Sequence, residues 1–200
     1  TALSEFYLQH RHSYDLDFFA ISFDTEVKLS ELKSILQSKG LTVLSSQKIY
    51  DRCIFSIAFE NSNPLKIEFV PLYFERVKKP YIKDDFYLDS LEDISASKLI
   101  ALTDRANTKD LIDLYFIDKE TDINFEQIIN FAKIKHDINY YYLLPTKNFI
   151  SSIDLKTLDM TKKVTKNDLS YFLDKITNIY KQKIKSCFED GEDDKNADDS

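Results

Sequence analysis

An apolar run at residues 16–23, Leu-Asp-Phe-Phe-Ala-Ile-Ser-Phe, is entered from a polar turn at residues 11–15 and holds Asp15 and Asp17 at its mouth. A run of that length suits a strand and falls far short of the roughly 20 apolar residues of a membrane span. Apolar residues on both sides of the period-2 alternation predict a strand lying centrally in a sheet. The chain is therefore expected to be built on a sheet that carries acids at one strand entrance.

The segments that follow fill in that sheet. Leu29, Leu32 and Leu36 recur at helical spacing, and Gly40 stands where a left-handed residue would end the helix. Three further strands are predicted at 41–48, 52–59 and 65–70, with Asn61-Ser62-Asn63-Pro64 turning the last pair into a hairpin. Residues 1–9 are helix-compatible through Leu3, Phe6 and Tyr7 but carry no cap before them, so the chain is expected to open mid-element.

From Ser90 the periodicity changes to 3.6. Ser90 with Asp93 predicts a capping box for a helix to about residue 104, a second helix runs over 109–118, Asn124 caps a third, and Thr165 with Asp168 caps a long amphipathic one. The fold class is α+β: a mixed sheet with flanking helices over residues 1–88, then a helical region over 89–188. No repeat or Gly/Pro-rich linker separates the two, so they are expected to pack directly. Residues 189–200 carry seven acids against one lysine and are expected to be a disordered acidic tail. That tail accounts for most of the net charge of -7, so the body is near neutral; within it, seven lysines between Lys162 and Lys185 face only Asp168 and Asp174. A solvated helix face is the plain explanation of that excess, and a surface for a polyanion the functional one.

Chemistry concentrates at the first strand. Side chains two apart on a strand share a face, so Asp15 and Asp17 bring two carboxylates close together. Such a pair repels itself unless a cation intervenes, and its hard oxygens suit Mg²⁺, which completes its shell with water and substrate phosphates. Glu68, in the otherwise apolar strand at 65–70, is the candidate third acid; simple alternation would instead turn it to solvent. His10, His12, His136, Cys53 and Cys187 form no ligand spacing, and Tyr140-Tyr141-Tyr142 reads as packing. No leader peptide opens the sequence, so a reducing cytoplasm without membrane attachment is the expected compartment.

Taken in order, Thr1-Ala2-Leu3, Arg11-x-Ser13-x-Asp15-Leu16-Asp17-Phe18-Phe19, Ser90-Leu91-Glu92-Asp93-Ile94 with Lys98-Leu99, Arg105, and Lys109-Asp110-x-x-Asp113-Leu114-Tyr115 resemble the AbiEii/AbiGii toxin family of polymerase-beta-like nucleotidyltransferases. The resemblance spans about residues 1–117. It implies a nucleotidyltransferase-like sheet and a toxin of a bacterial toxin-antitoxin or phage-defence system that moves a nucleotide from an NTP to an acceptor, most simply a tRNA 3′ end. Protein nucleotidylation and a non-catalytic binding module are the alternatives.

The resemblance makes Asp15, Asp17 and Glu68 the ligands of Mg²⁺, or of Mn²⁺ in its place, and puts Thr1 and Ser13 at the phosphates. It sets Lys98 against the departing pyrophosphate, Arg105 and Lys109 near the nucleotide, and Asp110, ahead of Asp113, as the acid that orients Lys98 or acts as base. NTP, an RNA acceptor and an antitoxin are the partners implied. The family pattern places Gly-Gly directly before Thr-Ala-Leu, where bare amides meet the triphosphate. This sequence begins at Thr1, so it is expected to start just inside its own active-site motif and to lack part of the nucleotide site.

Overall fold

The structure, a computed structural model, describes residues 1–20, 25–58, 63–83, 86–136, 154–156 and 158–193, with side chains for all of these but 25–27 and 187–193. It divides into two units, Thr1 with His12–Glu75, and Ala2–Arg11 with Arg76–Ser200.

The first unit holds β1 (Asp15–Ala20), α1 (Thr25–Ser38), β2 (Val43–Ile49), β3 (Arg52–Ile57) and β4 (Leu65–Pro71). The strand order is β1-β4-β3-β2. β1 runs parallel to β4, and the other two pairs are antiparallel. β2 and β3 are joined through Tyr50, held at φ 53°. Alternation along β3 buries Cys53, Phe55 and Ile57, which pack with Ile67 of β4 and with Leu29, Leu32 and Leu36 of α1. Each fully buried side chain of this size is worth about 1.5–3 kcal/mol. Gly40 takes φ +81° after α1, and Leu41 N–H closes back on the Leu36 carbonyl at 3.1 Å. Only a residue without a Cβ adopts that conformation freely.

The leucine stripe, the Gly40 cap and all four strands follow the sequence expectation, with β1 as the exception in placement. Expected in the middle of the sheet, β1 lies at its edge among the described residues, bonded to β4 alone. The reason is that only one of its faces is apolar in effect. Leu16 joins the core and Phe18 stacks on Phe69 at 5.2 Å, whereas Asp15, Asp17 and Phe19 share the other face, where Phe19 is 48% exposed. Residues 21–24, and residues 59–62 of the expected β3–β4 turn, lie outside the described residues.

The second unit opens with a π-helical turn at Leu3–Leu8 that ends on Gln9 at φ 49°. A short antiparallel hairpin of β5 (Tyr81–Lys83) and β6 (Phe86–Leu88), which the sequence reading did not anticipate, precedes α2 (Leu91–Arg105), α3 (Thr108–Glu120), α4 (Phe125–His136) and α5 (Lys166–Asp193). The helix starts fall where the cap residues predicted. Ser90 Oγ accepts from Asp93 N–H at 3.1 Å, Asn124 and Gln127 cap each other, and so do Thr165 and Asp168. Leu99, Leu102, Ile112, Phe125, Leu169 and Ile176 are buried together between these helices. α5 runs five residues into the acidic segment, ending at Asp193; residues 194–200 and Tyr140-Tyr141-Tyr142 lie outside the described residues. Among the described residues no helix is long and apolar enough to cross a membrane. The chain is α+β, with a mixed sheet and flanking helices.

Candidate active site

The open face of the four-stranded sheet is ordered by register. Parallel pairing sets Asp15 opposite Lys66 and Asp17 opposite Glu68, and antiparallel pairing continues the second row to Ile54 on β3 and Gln47 on β2. Adjacent strands lie about 4.8 Å apart, so Asp17 and Glu68 start side by side. The same rule sends Leu16, Ile67 and Phe55 to the core, which is why the acids share the opposite surface. Just ahead of β1, the hydroxyls of Thr1 and Ser13 stand 3.3 Å apart, so the two residues expected at the phosphates come together.

Electrostatics distinguish the three acids. Asp17 has accessible surface, but enough protein crowds its carboxyl that desolvation raises its pKa, and Glu68 and Asp15 push it the same way. Glu68 is buried, at 8% exposure, and is not free. Its Oε1 is in contact with the Lys66 ammonium, and its Oε2 lies 3.9 Å from Arg52 Nη1. The hydrogen bond from Lys66 to Glu68 is the leading reason that the Lys66 pKa is raised. Among the described residues no three His, Cys, Asp or Glu side chains stand ready to ligate a metal. The donor set nevertheless fits Mg²⁺ in kind: hard carboxylate oxygens on one face, with a like-charge crowding at Asp17 that a divalent cation would relieve. Glu68 offers oxygens of the same kind, engaged here by Lys66.

Lys98, Arg105, Lys109 and Asp110 all belong to the helical unit. Lys98, on α2, directs its ammonium to Asp110 Oδ1 at 3.0 Å and Asp113 Oδ2 at 2.8 Å. Both aspartates are fully buried on α3. Arg105 reaches Asp110 with Nε at 2.9 Å and Nη2 at 3.2 Å, while Lys109 is exposed in the first turn of α3. The ranking of Asp110 over Asp113 missed how much converges on the latter: besides Lys98, Asp113 Oδ1 receives Arg11 Nε at 2.8 Å and His10 Nε2 at 2.7 Å. Burial works to raise the Asp113 pKa, but Lys98, His10 and Arg11 outweigh it and hold the carboxyl well below its ordinary range. Burial likewise works against the charged Lys98, and Asp113 and Asp110 more than reverse it. The available signal was Asp113 itself, a lone acid in the apolar stretch Leu111-Ile112-Asp113-Leu114.

Comparisons with known proteins agree with this framework. A family model described as nucleotidyl transferase AbiEii toxin, type IV toxin-antitoxin system, matches residues 1–194. A Helicobacter pylori structure described as a candidate nucleotidyltransferase superposes with a TM-score of 0.59 at 18% identity, over 93% of this chain and 85% of that one. JHP933 from Helicobacter pylori superposes with a TM-score of 0.55, also at 18% identity, over 94% and 86%. At that identity the likeness is one of fold. No curated protein matches the sequence. With acids on one sheet face and a family match over nearly its whole length, the chain belongs to the AbiEii nucleotidyl transferase toxin family of type IV toxin-antitoxin systems.

Proposed function

We propose that this protein is a cytoplasmic, Mg²⁺-dependent toxin that transfers a nucleotide from an NTP to the 3′ end of an RNA, most simply a tRNA, under the control of an antitoxin. The observation that carries the reading is the register of β1 on β4, which sets Asp17 beside Glu68 with Asp15 on the same face. Asp15 and Asp17 would hold the metal, with Glu68 as the third ligand. When bound, the metal neutralises charge on the triphosphate and on the attacking oxygen.

The acceptor 3′-hydroxyl attacks the α-phosphorus in line, a P–O bond to the acceptor forms, and the bond to pyrophosphate breaks. The hydroxyl proton leaves to solvent, while the carboxylates of Asp15, Asp17 and Glu68 would stay ionised as ligands of the metal. The paired hydroxyls of Thr1 and Ser13 donate to phosphate oxygens. Of the three motif cations in the helical unit, Arg105, paired with Asp110 but with a 61% exposed side chain, and the exposed Lys109 are open to solvent, whereas Lys98 is committed to two carboxylates.

Incubating full-length protein with labelled NTP, Mg²⁺ and total tRNA tests the reading. Label should appear in RNA and vanish with Asp17→Ala; equal labelling by that variant would refute the assignment. Label migrating with polypeptide would move the acceptor to protein. Absence of Mg²⁺-dependent NTP uptake in calorimetry would make the chain a binding module.

A further inference from the structure

The acid face carries a cation for which nucleotidyl transfer, as described, has no use. Lys66 lies two residues before Glu68 on β4 and stands in register with Asp15, so its side chain shares the face of all three acids. Its ammonium contacts Glu68 Oε1, while Arg52 approaches the other oxygen at 3.9 Å. The two partners differ in freedom. The Glu68 side chain is 11% exposed and fixed within the sheet, whereas that of Lys66 is 49% exposed and reaches the carboxylate from the solvent side. A flexible, strongly hydrated ammonium on a four-carbon stem is well suited to leave again.

We propose that Lys66 is a positioning residue that holds the Glu68 carboxylate as a resident counter-ion and competes with the divalent metal for it, so that Lys66 sets the metal affinity of the acid face. The proposal rests on reading Asp15, Asp17 and Glu68 as metal ligands. A monovalent charge at this range opposes a divalent cation by an amount that depends on the local dielectric, and at a half-exposed position it corresponds to about tenfold in affinity. A lysine that merely props up the strand would act the other way, because its loss would loosen Glu68 and weaken the site.

Calorimetric titration of the full chain with Mn²⁺ and with Mg²⁺, in the absence of nucleotide, separates these cases. Lys66→Met should bind metal about tenfold more tightly than the parent, and Glu68→Gln should bind less tightly. In the double variant the gain from Lys66→Met should disappear, because the competition runs through Glu68. Lys66→Gln should reproduce the Met result, and circular dichroism of both should match the parent, showing that any loss of stability from leaving Glu68 with Arg52 alone has not unfolded the site. Unchanged or weaker binding by both Lys66 variants overturns the proposal, as does a gain that survives in the double variant. If neither the parent nor any Lys66 variant takes up metal, it is the metal-site reading that has failed, and the competition falls with it.

Discussion

Arg11 grips Asp113 with two parallel hydrogen bonds, Nε to Oδ1 at 2.8 Å and Nη2 to Oδ2 at 2.9 Å, across 102 residues of sequence. A fork of this kind fixes direction as well as distance, and here both groups are buried. It ties the segment after the π-helical turn to the middle of α3, while His10 and Lys98 complete the shell around the same carboxylate. Asp113 thereby links three parts of the helical unit that no local sequence pattern connects.

Removing that charge should be costly. Asp113→Asn keeps the shape but leaves Arg11 and Lys98 short of a counter-charge in a buried setting, and a loss of about 3–5 kcal/mol is expected. Urea unfolding followed by circular dichroism measures it; a loss below about 1 kcal/mol would mean that the network relaxes onto water or Asp110.

Acid should act through the same residue. The folded-state pKa of Asp113 is depressed, so its contribution is fully present above the unfolded carboxylate value of about 3.9 and is lost as pH falls below it toward the folded value. Unfolding free energy should therefore decline on acidification below about pH 4. Asp113→Asn should flatten part of that decline; identical slopes in parent and variant would assign the acid sensitivity to other carboxylates.

Lys98 and Arg105 both engage Asp110, but at different depths. The Lys98 side chain is 23% exposed and bridges two buried carboxylates, while that of Arg105 is 61% exposed and serves one. Lys98→Met should lower stability by about 3 kcal/mol and Arg105→Gln by no more than about 1 kcal/mol. Equal losses in chemical denaturation would show that the bridge adds nothing. The contrast also matters for activity assays, because a Lys98 variant that fails to label RNA has to be shown folded before its ammonium is given a role in the reaction.

The residues that the sequence placed well are those whose partners are close along the chain. Ser90 with Asp93, Thr165 with Asp168, the Leu29-Leu32-Leu36 stripe and Gly40 each express a local rule of capping, period or backbone freedom, and each stands where that rule put it. Strand alternation put Asp15 and Asp17 on one face, whereas the assignment of Glu68 rested on the family resemblance, because the parallel pairing that sets it beside Asp17 joins strands about 50 residues apart. What escaped depends on distant pairing. His10 and Arg11 meet Asp113 across about a hundred residues, and Lys135 meets Asp93 across 42. The three-residue strands β5 and β6 are too short for alternation to announce them. The central placing of β1 failed because Phe19, counted as core, instead stands beside Asp17 on the open face.

Tyr180 offers a test of opposite sign. Its ring is fully buried against Phe125, with centroids 6.1 Å apart, and its hydroxyl has no hydrogen-bond partner among the described residues. Burial alone pushes the phenol pKa far up. An unpaired buried hydroxyl costs about 1–3 kcal/mol, so Tyr180→Phe should leave stability unchanged or raise it by about 1 kcal/mol. A clear loss in thermal or urea unfolding would reveal a partner that the described residues do not contain.

Asp93 should prove more critical than the cap it completes. Ser90 Oγ donates to it at 2.7 Å, the backbone N–H groups of Val77 and Lys78 each donate at 3.0 Å, and the buried Lys135 ammonium lies 3.0 Å away. The carboxylate thus holds the chain entering from residue 76 against the start of α2 and the end of α4. Ser90→Ala removes one cap and should cost about 1 kcal/mol. Asp93→Ala strips the partner from three neutral donors and leaves a buried cation uncompensated, for an expected loss of about 3–5 kcal/mol. Asp93→Asn should fall between the two, because the amide oxygen still accepts while the charge opposite Lys135 is gone. Adding Lys135→Met to Asp93→Ala should recover part of the loss by removing the stranded charge. If the double variant is no more stable than Asp93→Ala, the backbone contacts of Val77 and Lys78 carry the effect and the ion pair is incidental.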